Sequence, residues 1–399
     1  MALSTLLLAS LASTATAVRL FTSSWPTDGK GNIVRAITFE PGLGYAYGRP
    51  SASLTTVSEN SECGSTPTWL ELDGSTLYCL NEGWAGAAPD DSFNTLTVSA
   101  DGSLKLKAST KLPLPGAVAN QFYNNKQAVA LAHYGGGGIS TLKALPDGSF
   151  SELQTFKFNA SGPRPEQEAS HVHEAVIDPT GKFLIFPDLG ADVVRVYSID
   201  ENEITEKKSL QSKAASGPRH AVFWTPNAKP NVDATFLFVI HELDNTVVSY
   251  KVAYTDDSAL AFTQVQSQGL YGDRETPEGS RAAELLLSPD NRFVIGSNRN
   301  ATIMTVPNPD PKNATLIPSD TLVTFEPQKD GTLKFVGLAA SGGSFPRHFN
   351  LNKEGNFVAV GNQNSGTLDI FKRDVKSGKI CERVASLGGL GQLTNVRWA

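Results

Sequence analysis

Positive charge is not in excess in this sequence of 399 residues, since 34 lysines and arginines stand against 40 aspartates and glutamates, a formal net charge of -6. Nucleic-acid binding is therefore disfavoured, because a polyanion finds no basic surface. Beyond the first residues, no stretch is apolar enough to cross a membrane. The sequence also lacks a G-x-S-x-G elbow, a phosphate-binding glycine loop and an H-E-x-x-H helix. The usual signatures of a serine hydrolase, a nucleotide-binding domain and a zinc peptidase are thus missing.

Cysteine is also scarce, with three residues. Cys63 and Cys79 could form a disulfide across neighbouring strands and leave Cys381 unpaired. Three free buried thiols are the alternative, and the sequence alone leaves both possibilities open.

Apolar residues are concentrated at the amino terminus. A run from Leu3 to Leu11 precedes the small-x-small site Ala15-Thr16-Ala17, which predicts a secretory signal peptide over residues 1–17. A buried first strand or a membrane anchor is the alternative, but the run is too short to span a bilayer. Three tripeptides fit N-glycosylation, a modification of the secretory pathway. Their asparagines are Asn159, Asn300 and Asn313. We therefore expect a secreted, extracellular glycoprotein.

The sequence does contain a repeat. Each copy gives an apolar strand, a Pro/Asp/Gly turn, a second apolar strand and a third alternating strand. Clear copies cover residues 171–197, 217–252, 281–306 and 346–371, and weaker ones cover 68–106 and 122–150. Repeats of four antiparallel strands at about 40–50 residues predict a β-propeller. The terminal segments 19–42 and 393–399 would supply one more blade, with its inner strand from the C-terminus. We predict an all-β, seven-bladed propeller that forms a single domain over residues 18–399.

Polar residues recur at one rim of this predicted propeller. Strand one of a blade lines the central channel and strand two returns antiparallel, so the start of the first and the end of the second meet. The strand-one starts carry His171, His173, Arg219, His220, Arg281, Arg347 and His348. The strand-two ends carry Glu82, His133, Tyr134, Asp188, His241, Glu242, Asn298, Arg299 and Gln363. Singly, most fit polar caps of a wet channel, but together they indicate a pocket for a small anion with acid–base groups.

A metal site is the competing interpretation of this rim. His171 and His173 share one strand face, and Glu242 or Asp188 could complete a set of three ligands. Several arginines at the same mouth would repel a divalent cation. We therefore expect no bound metal and no other cofactor.

Several segments resemble the seven-bladed lactonase family, which includes bacterial-type 6-phosphogluconolactonases and the fungal carboxy-cis,cis-muconate cyclase. The resemblance covers nearly the whole chain after the signal. Its motifs are His173-Glu-Ala-Val-Ile-Asp-Pro-Thr-Gly, Gly217-Pro-Arg-His220, Glu242-Leu-Asp-Asn245, Arg281-Ala-Ala-Glu with Ser288-Pro-Asp290, and Pro346-Arg-His348. It implies a cofactor-free site in the channel mouth. The implied catalytic residues are His173, Arg219, Glu242 and Arg281, and the implied substrate-binding residues are Arg347, His220, His348 and Gln363.

These residues favour a lactonase, or a lactone-forming cyclase similar to carboxymuconate cyclase, that acts on a small carboxylated molecule. Arginines would hold the carboxylates, and His173 or Glu242 would move the proton. The alternative is a non-catalytic secreted propeller that binds a ligand or a protein partner, because a fold does not fix a function. The oligomeric state is left open.

Overall fold

The computed structural model describes residues 17–27, 33–42, 52–84, 90–226, 234–255, 259–310 and 312–399. Its strands form seven four-stranded antiparallel sheets, which confirms the predicted seven-bladed propeller. The 3-10 turn Pro165–Gln167 lies in the loop before blade four. Among the described residues, no helix combines the length and the apolar character that a membrane span needs.

The first four blades are given from inner to outer strand. Blade one holds β30 (Gln392–Trp398), β1 (Val18–Trp25), β2 (Ile33–Glu40) and β3 (Ser53–Asn60). Blade two holds β4 (Pro67–Asp73), β5 (Thr76–Asn81), β6 (Ser92–Val98) and β7 (Leu104–Lys111). Blade three holds β8 (Ala117–Tyr123), β9 (Ala128–His133), β10 (Gly138–Ala144) and β11 (Phe150–Lys157). Blade four holds β12 (Val176–Ile177), β13 (Phe183–Asp188), β14 (Val193–Asp200) and β15 (Glu203–Gln211).

The other three blades follow the same order. Blade five holds β16 (Pro218–Trp224), β17 (Thr235–His241), β18 (Thr246–Tyr254) and β19 (Leu260–Gly269). Blade six holds β20 (Arg281–Leu287), β21 (Val294–Arg299), β24 (Thr321–Pro327) and β25 (Leu333–Ala340). Blade seven holds β26 (Pro346–Leu351), β27 (Phe357–Asn362), β28 (Thr367–Arg373) and β29 (Ile380–Leu387).

Blade six differs from the predicted repeat in its third strand. The 281–306 copy placed that strand immediately before residue 306. In the structure, β22 (Met304–Pro307) instead pairs with β23 (Leu316–Ser319) in a separate hairpin. The third strand of the blade is β24, where Thr321 pairs with Asn298 of β21. The hairpin is thus an insertion between two strands that remain neighbours.

Position within a blade explains the burial pattern of each strand. The second strands β9, β13 and β17 are buried along their whole length, because neighbouring blades cover both of their faces. They accordingly read as continuous apolar runs. The outer strand β7 alternates exposed and partly buried residues, as expected of an edge with one covered face.

The ring is closed by the C-terminal strand. β30 pairs antiparallel with β1, and Leu20 lies opposite Trp398 in this pairing. Both residues are buried in a cluster that also contains Phe39 and Leu393. The closing blade therefore takes its inner strand from the C-terminus, as predicted, and leaves no sheet edge open at this point.

The expectations about secretion fall partly outside the described residues. Residues 1–16, most of the predicted signal peptide, lie outside the described residues. Asn159, Asn300 and Asn313 are all exposed, so each is accessible to modification. Secretion and glycosylation stay predictions.

Cys63 and Cys79 form a disulfide, with their Cα atoms 6.0 Å apart, and Cys381 is free and exposed. The pairing considered from the sequence is therefore the one formed, and the alternative of three free thiols is wrong. Both bonded cysteines are buried in the core between blades one and two.

We expect the double substitution Cys63→Ala with Cys79→Ala to lower the free energy of unfolding by about 3 kcal/mol. The bond closes a loop with a sequence separation of 16, and a loop of this size constrains the unfolded chain by about that amount. Urea unfolding of the oxidised protein measures the change. Cys381→Ala is the matched control and should leave the midpoint unchanged. Equal midpoints for the double variant and the wild type would contradict the expectation.

Candidate active site

The inner strands share an irregularity near their first residues. In four blades one residue at this point has no register partner on the second strand. These residues are Thr68, Val118, Arg219 and Arg347. Such a β-bulge inserts an extra residue and re-aims the side chains around it. Arg219 and its neighbour His220 therefore both face the channel, although strand alternation alone would turn one of them away.

Blade six has the same irregularity one step later. Ala282 pairs with Asn298 and Leu285 pairs with Gly296, so two residues between them oppose one. One of the two is Glu284, whose N–H donates to Ser297 Oγ at 3.1 Å. The bulge of blade six thus contributes a glutamate to the channel, whereas the bulges of blades five and seven contribute an arginine.

Arg281 precedes this bulge, and its side chain takes another direction. Its Nη2 donates to Glu166 Oε1 at 2.7 Å, in the 3-10 turn before blade four. Glu166 is itself 41% exposed. The expectation that Arg281 joins Arg219 in the site is corrected by this geometry, because the residue that the bulge presents is Glu284.

The chain enters three of the inner strands through a left-handed residue. Gly116, Gly217 and Phe345 each have a φ of 65° directly before β8, β16 and β26. In each case a carboxylate at the start of the previous blade's third strand accepts the N–H of this residue. The carboxylates are Asp91, Asp192 and Asp320, at 2.7, 2.8 and 2.6 Å. These bonds fix the direction from which Arg219 and Arg347 enter the channel.

Histidines and carboxylates from four blades form a connected cluster. His220 Nδ1 lies 2.9 Å from Glu284 Oε1, and His220 Nε2 lies 3.2 Å from His173 Nδ1. His348 Nε2 lies 3.4 Å from Glu284 Oε2. Glu174 approaches His220 Nδ1 at 3.6 Å and accepts the Ala221 N–H at 2.6 Å. The two carboxylates are thus held beside three imidazoles.

The protonation states in this cluster follow from burial and charge. Burial lowers the pKa of His173 well below its usual value, and the positive charge of Arg219 lowers it further. Burial also lowers the pKa of His220, although Glu284 opposes the shift. Burial would raise the pKa of Glu284, but His220 and His348 hold it to about 2. Burial and the charge of Glu284 raise the pKa of Glu174 well above its usual value. Near neutral pH the imidazoles are neutral and Glu284 is ionised.

Two arginines share one carboxylate beside the histidines. Glu242 Oε2 lies 3.0 Å from Arg219 Nε and 2.7 Å from Arg299 Nη2. Each arginine also donates to a backbone carbonyl of β20, Arg219 to Ala283 at 2.7 Å and Arg299 to Ala282 at 2.8 Å. Burial would raise the pKa of Glu242, but the two guanidinium groups lower it. The trio therefore carries a net positive charge.

Arg347 adds a third guanidinium to this mouth. It lies 4.6 Å from the ring centroid of Trp25, and burial lowers its pKa. Burial raises the pKa of the nearby Glu82, which Arg347 and a hydrogen bond from Thr68 oppose. A small anion at this mouth would therefore meet two guanidinium groups, those of Arg219 and Arg347, on one cavity.

These groups face one small cavity that opens at the channel mouth. Its ionisable lining residues are His173, Arg219, His220, Glu284, Arg347 and His348. Trp69 and Val118 supply apolar wall, and Thr68 and Thr394 supply hydroxyl groups. A base, a buried carboxylate and two arginines around one small space can bind an anion and move a proton next to it.

The remaining predicted rim residues lie elsewhere. His171 stacks on Tyr134 with ring centroids 4.2 Å apart, and its Nε2 lies 3.3 Å from Glu168. Gln363 is buried, and its N–H donates to the Phe345 carbonyl at 2.8 Å. The other two histidines bond to serine hydroxyl groups of their surroundings: His133 to Ser140, and His241 to Ser212. These residues support the rim and do not line the cavity.

The metal set that the sequence suggested is not assembled. Asp188 pairs with Arg195 at 2.8 Å, and His171 and Glu242 have the partners described above. Within the described ranges, Glu174, His220 and Glu284 do bring ligand atoms within 4.8 Å of one another. The 2.9 Å between His220 Nδ1 and Glu284 Oε1 is a hydrogen-bond distance, and both carboxylates already accept backbone N–H groups. The adjacent positive charge of Arg219 would weaken the binding of a divalent cation by this set.

Glu284, Arg299 and Trp69 are the site residues that sequence reasoning did not select. Glu284 is the last residue of the Arg281-Ala-Ala-Glu motif, and Arg299 is one of the polar residues at the strand-two ends, to which no role was assigned from the sequence. The repeat could have identified Arg299, because Arg299 follows Asn298 at the end of a second strand just as Gln363 follows Asn362. Trp69 approaches the rings of His220 and His348, at 6.1 and 5.3 Å between centroids.

Comparison with known proteins agrees with this fold. A protein of Arthroderma benhamiae named "Probable 6-phosphogluconolactonase" is 28% identical over 350 residues, 86% of this chain and 82% of its own. The 6-phosphogluconolactonase of Bacillus subtilis is 27% identical over 259 residues, covering 64% of this chain and 66% of its own. The solved structure of a periplasmic gluconolactonase from Pseudomonas aeruginosa has a TM-score of 0.79 at 23% identity, over 96% of this chain and 99% of that one.

A family model is more decisive, because it matches nearly all of the propeller. The family described as "Lactonase, 7-bladed beta-propeller" matches residues 42–395. This range contains every residue that lines the cavity. The chain belongs to the seven-bladed β-propeller lactonase family.

Proposed function

We propose that the protein hydrolyses a small anionic lactone at the channel mouth, without a metal or other cofactor. The observation that carries the proposal is the cavity in which His173 lies beside Arg219 and Arg347. A neutral imidazole near neutral pH can take a proton from water, and guanidinium groups can hold a carboxylate or phosphate. Membership of the lactonase family supports the choice of reaction.

The chemistry follows from these groups. His173 takes a proton from a water molecule, whose oxygen attacks the lactone carbonyl carbon. The carbonyl oxygen becomes an oxyanion, which Arg219 stabilises. The ring C–O bond then breaks, and the leaving oxygen takes the proton from His173. The product is a hydroxy acid, and the base is returned to its starting state.

Two kinds of anion fit a pocket of arginines. The names of the relatives from Arthroderma benhamiae and Bacillus subtilis suggest the phosphate of 6-phosphogluconolactone. A carboxylated lactone, the class favoured from the sequence, likewise presents a pair of oxygens that a guanidinium fork can bind. Lactone formation from a carboxylated muconate, the other reaction favoured from the sequence, is the second reaction to test.

We expect the purified protein to open an anionic lactone with a kcat/KM about 10- to 100-fold above that for neutral gluconolactone, because charge-assisted hydrogen bonds contribute about 1.5–3 kcal/mol. The panel contains 6-phosphogluconolactone, a carboxylated muconolactone, its open muconate and gluconolactone. Proton release is followed and corrected for spontaneous hydrolysis. Incubation with EDTA should leave the rate unchanged. Failure to accelerate any of these reactions would favour a non-catalytic binding propeller, and loss of activity with EDTA would contradict the metal-free site.

A further inference from the structure

We propose that Glu284 and His220 are positioning residues that fix the tautomer of His173, so that its Nδ1 carries the proton and its Nε2 is the free base. The catalytic consequence of this inference rests on the proposed function. The tautomer itself does not, because it follows from the hydrogen bonds of the cluster.

The Glu284 carboxylate determines which nitrogen of His220 carries a proton. Glu284 is 1% exposed, and its Oε1 accepts the Leu285 N–H at 3.1 Å and faces His220 Nδ1 at 2.9 Å. An ionised carboxylate can only accept hydrogen bonds. The proton of this contact therefore sits on His220 Nδ1.

The proton on His220 Nδ1 in turn determines the tautomer of His173. A neutral imidazole with a proton on Nδ1 has a lone pair on Nε2. His220 Nε2 faces His173 Nδ1 at 3.2 Å, so the proton of that contact belongs to His173. The remaining nitrogen of His173 is then Nε2, which has a free lone pair, and His173 lines the cavity.

The other oxygen of Glu284 explains why the carboxylate is fixed. His348 Nδ1 accepts the Val396 N–H at 3.2 Å, so its proton sits on Nε2, which lies 3.4 Å from Glu284 Oε2. That oxygen has no hydrogen-bonding donor among the described residues. A buried carboxylate that accepts a hydrogen bond from His220 on one oxygen and lies 3.4 Å from His348 on the other is held in place, and it orients the His220 ring beside it.

The electrostatic surroundings favour the same arrangement. The charged or titratable groups around the pair of rings are Tyr134, Arg219, Arg347, Glu174, Glu284 and His348. The arginines oppose a second proton on His173 in the resting state. When His173 takes a proton from water, the imidazolium donates from Nδ1 toward His220, whose other nitrogen donates to the Glu284 charge. The relay thus stabilises the positive charge that the reaction forms.

The direct test is to determine which ring nitrogen of His173 carries the proton. Protein with ¹⁵N-labelled histidine is examined by long-range ¹H–¹⁵N correlation spectra, and the six histidines are assigned by single substitutions. We expect His173 to show a protonated Nδ1 and an unprotonated Nε2 in the wild type. The Glu284→Met variant should lose this preference, whereas Glu284→Gln should keep it in part because its amide oxygen can still accept from His220. A wild-type His173 with its proton on Nε2 would overturn the relay, whatever the activity.

The second test is kinetic. Glu284→Met should lower kcat about 10²-fold, the lower end of a general base's contribution, with KM near the wild-type value and partial recovery in Glu284→Gln. Loss of a nearby negative charge lowers a histidine pKa, so the acid limb of the kcat/KM profile should move to lower pH. A merely structural role would not move this limb.

The matched control is Glu168→Met, because Glu168 also pairs with a histidine but is 68% exposed outside the cavity. It should retain wild-type kcat and the wild-type pH profile. A Glu284→Met protein that is folded and equally active would overturn the positioning role. A correct tautomer combined with full activity of a variant without His173 would leave the relay standing and remove His173 from the proposed reaction.

Discussion

A His173→Gln variant is expected to open an anionic lactone with a kcat about 10²–10⁴-fold below that of the wild type, the range that general acid–base catalysis contributes. Glutamine can still bond to His220 but cannot take a proton from water near neutral pH. KM should change little, because the arginines that hold the anion remain. Initial rates corrected for spontaneous hydrolysis measure the effect, and a thermal unfolding curve checks that the variant is folded.

His171→Gln is the matched control for this variant. It removes a histidine two residues away that stacks on Tyr134 outside the cavity. Activity close to that of the wild type is expected. Equal losses in both variants would mean that the rim as a whole, and not the base at its centre, was disturbed. A fully active His173→Gln protein would contradict the assignment of the base.

The blades could be predicted from the sequence because their signals are local. Alternation, apolar runs and turn residues recur at a fixed spacing, and each reports on strands only a few residues apart. The joining of the chain ends was predictable for a related reason, since two incomplete segments together had the content of one blade. The insertion after Arg299 was not, because the segment of β22 has the same apolar pattern as the strand it was taken for.

The site was predicted less completely, because a bulge is not visible in a pattern of alternation. Period-two reasoning allows one of two consecutive residues to face the channel, yet Arg219 and His220 both do. The same irregularity explains the error at Arg281. Matching blades by their first arginine ignored the register of β20, in which the bulge falls at Ala283 and Glu284. The register between β20 and β21, not a motif, decides which side chain reaches the cavity.

The charge balance of the mouth is the second feature with a large expected effect. Arg219 is 2% exposed, and Glu242 is the carboxylate that both Arg219 and Arg299 contact. Removing one partner of a buried ionic set leaves the others uncompensated, which costs about 3–5 kcal/mol. In this trio the loss of Glu242 leaves two guanidinium groups facing each other.

Glu242→Gln is therefore expected to lower the free energy of unfolding by about 3–5 kcal/mol at neutral pH. The arginines hold the pKa of Glu242 below its usual value of 4.5 in the folded protein. A lowered folded-state pKa gives stability that is present above the unfolded-state pKa and is lost as pH falls through the folded-state pKa. The difference between wild type and variant should consequently narrow below about pH 4.5. Urea unfolding midpoints across this pH range measure the difference in stability.

Glu59→Gln is the control, since Glu59 pairs with Arg35 at 2.8 Å but is 53% exposed. This substitution should lower the free energy of unfolding by less than about 1 kcal/mol. Equal losses of unfolding free energy in the two variants would show that Glu242 contributes no more to stability than a carboxylate in a surface ion pair.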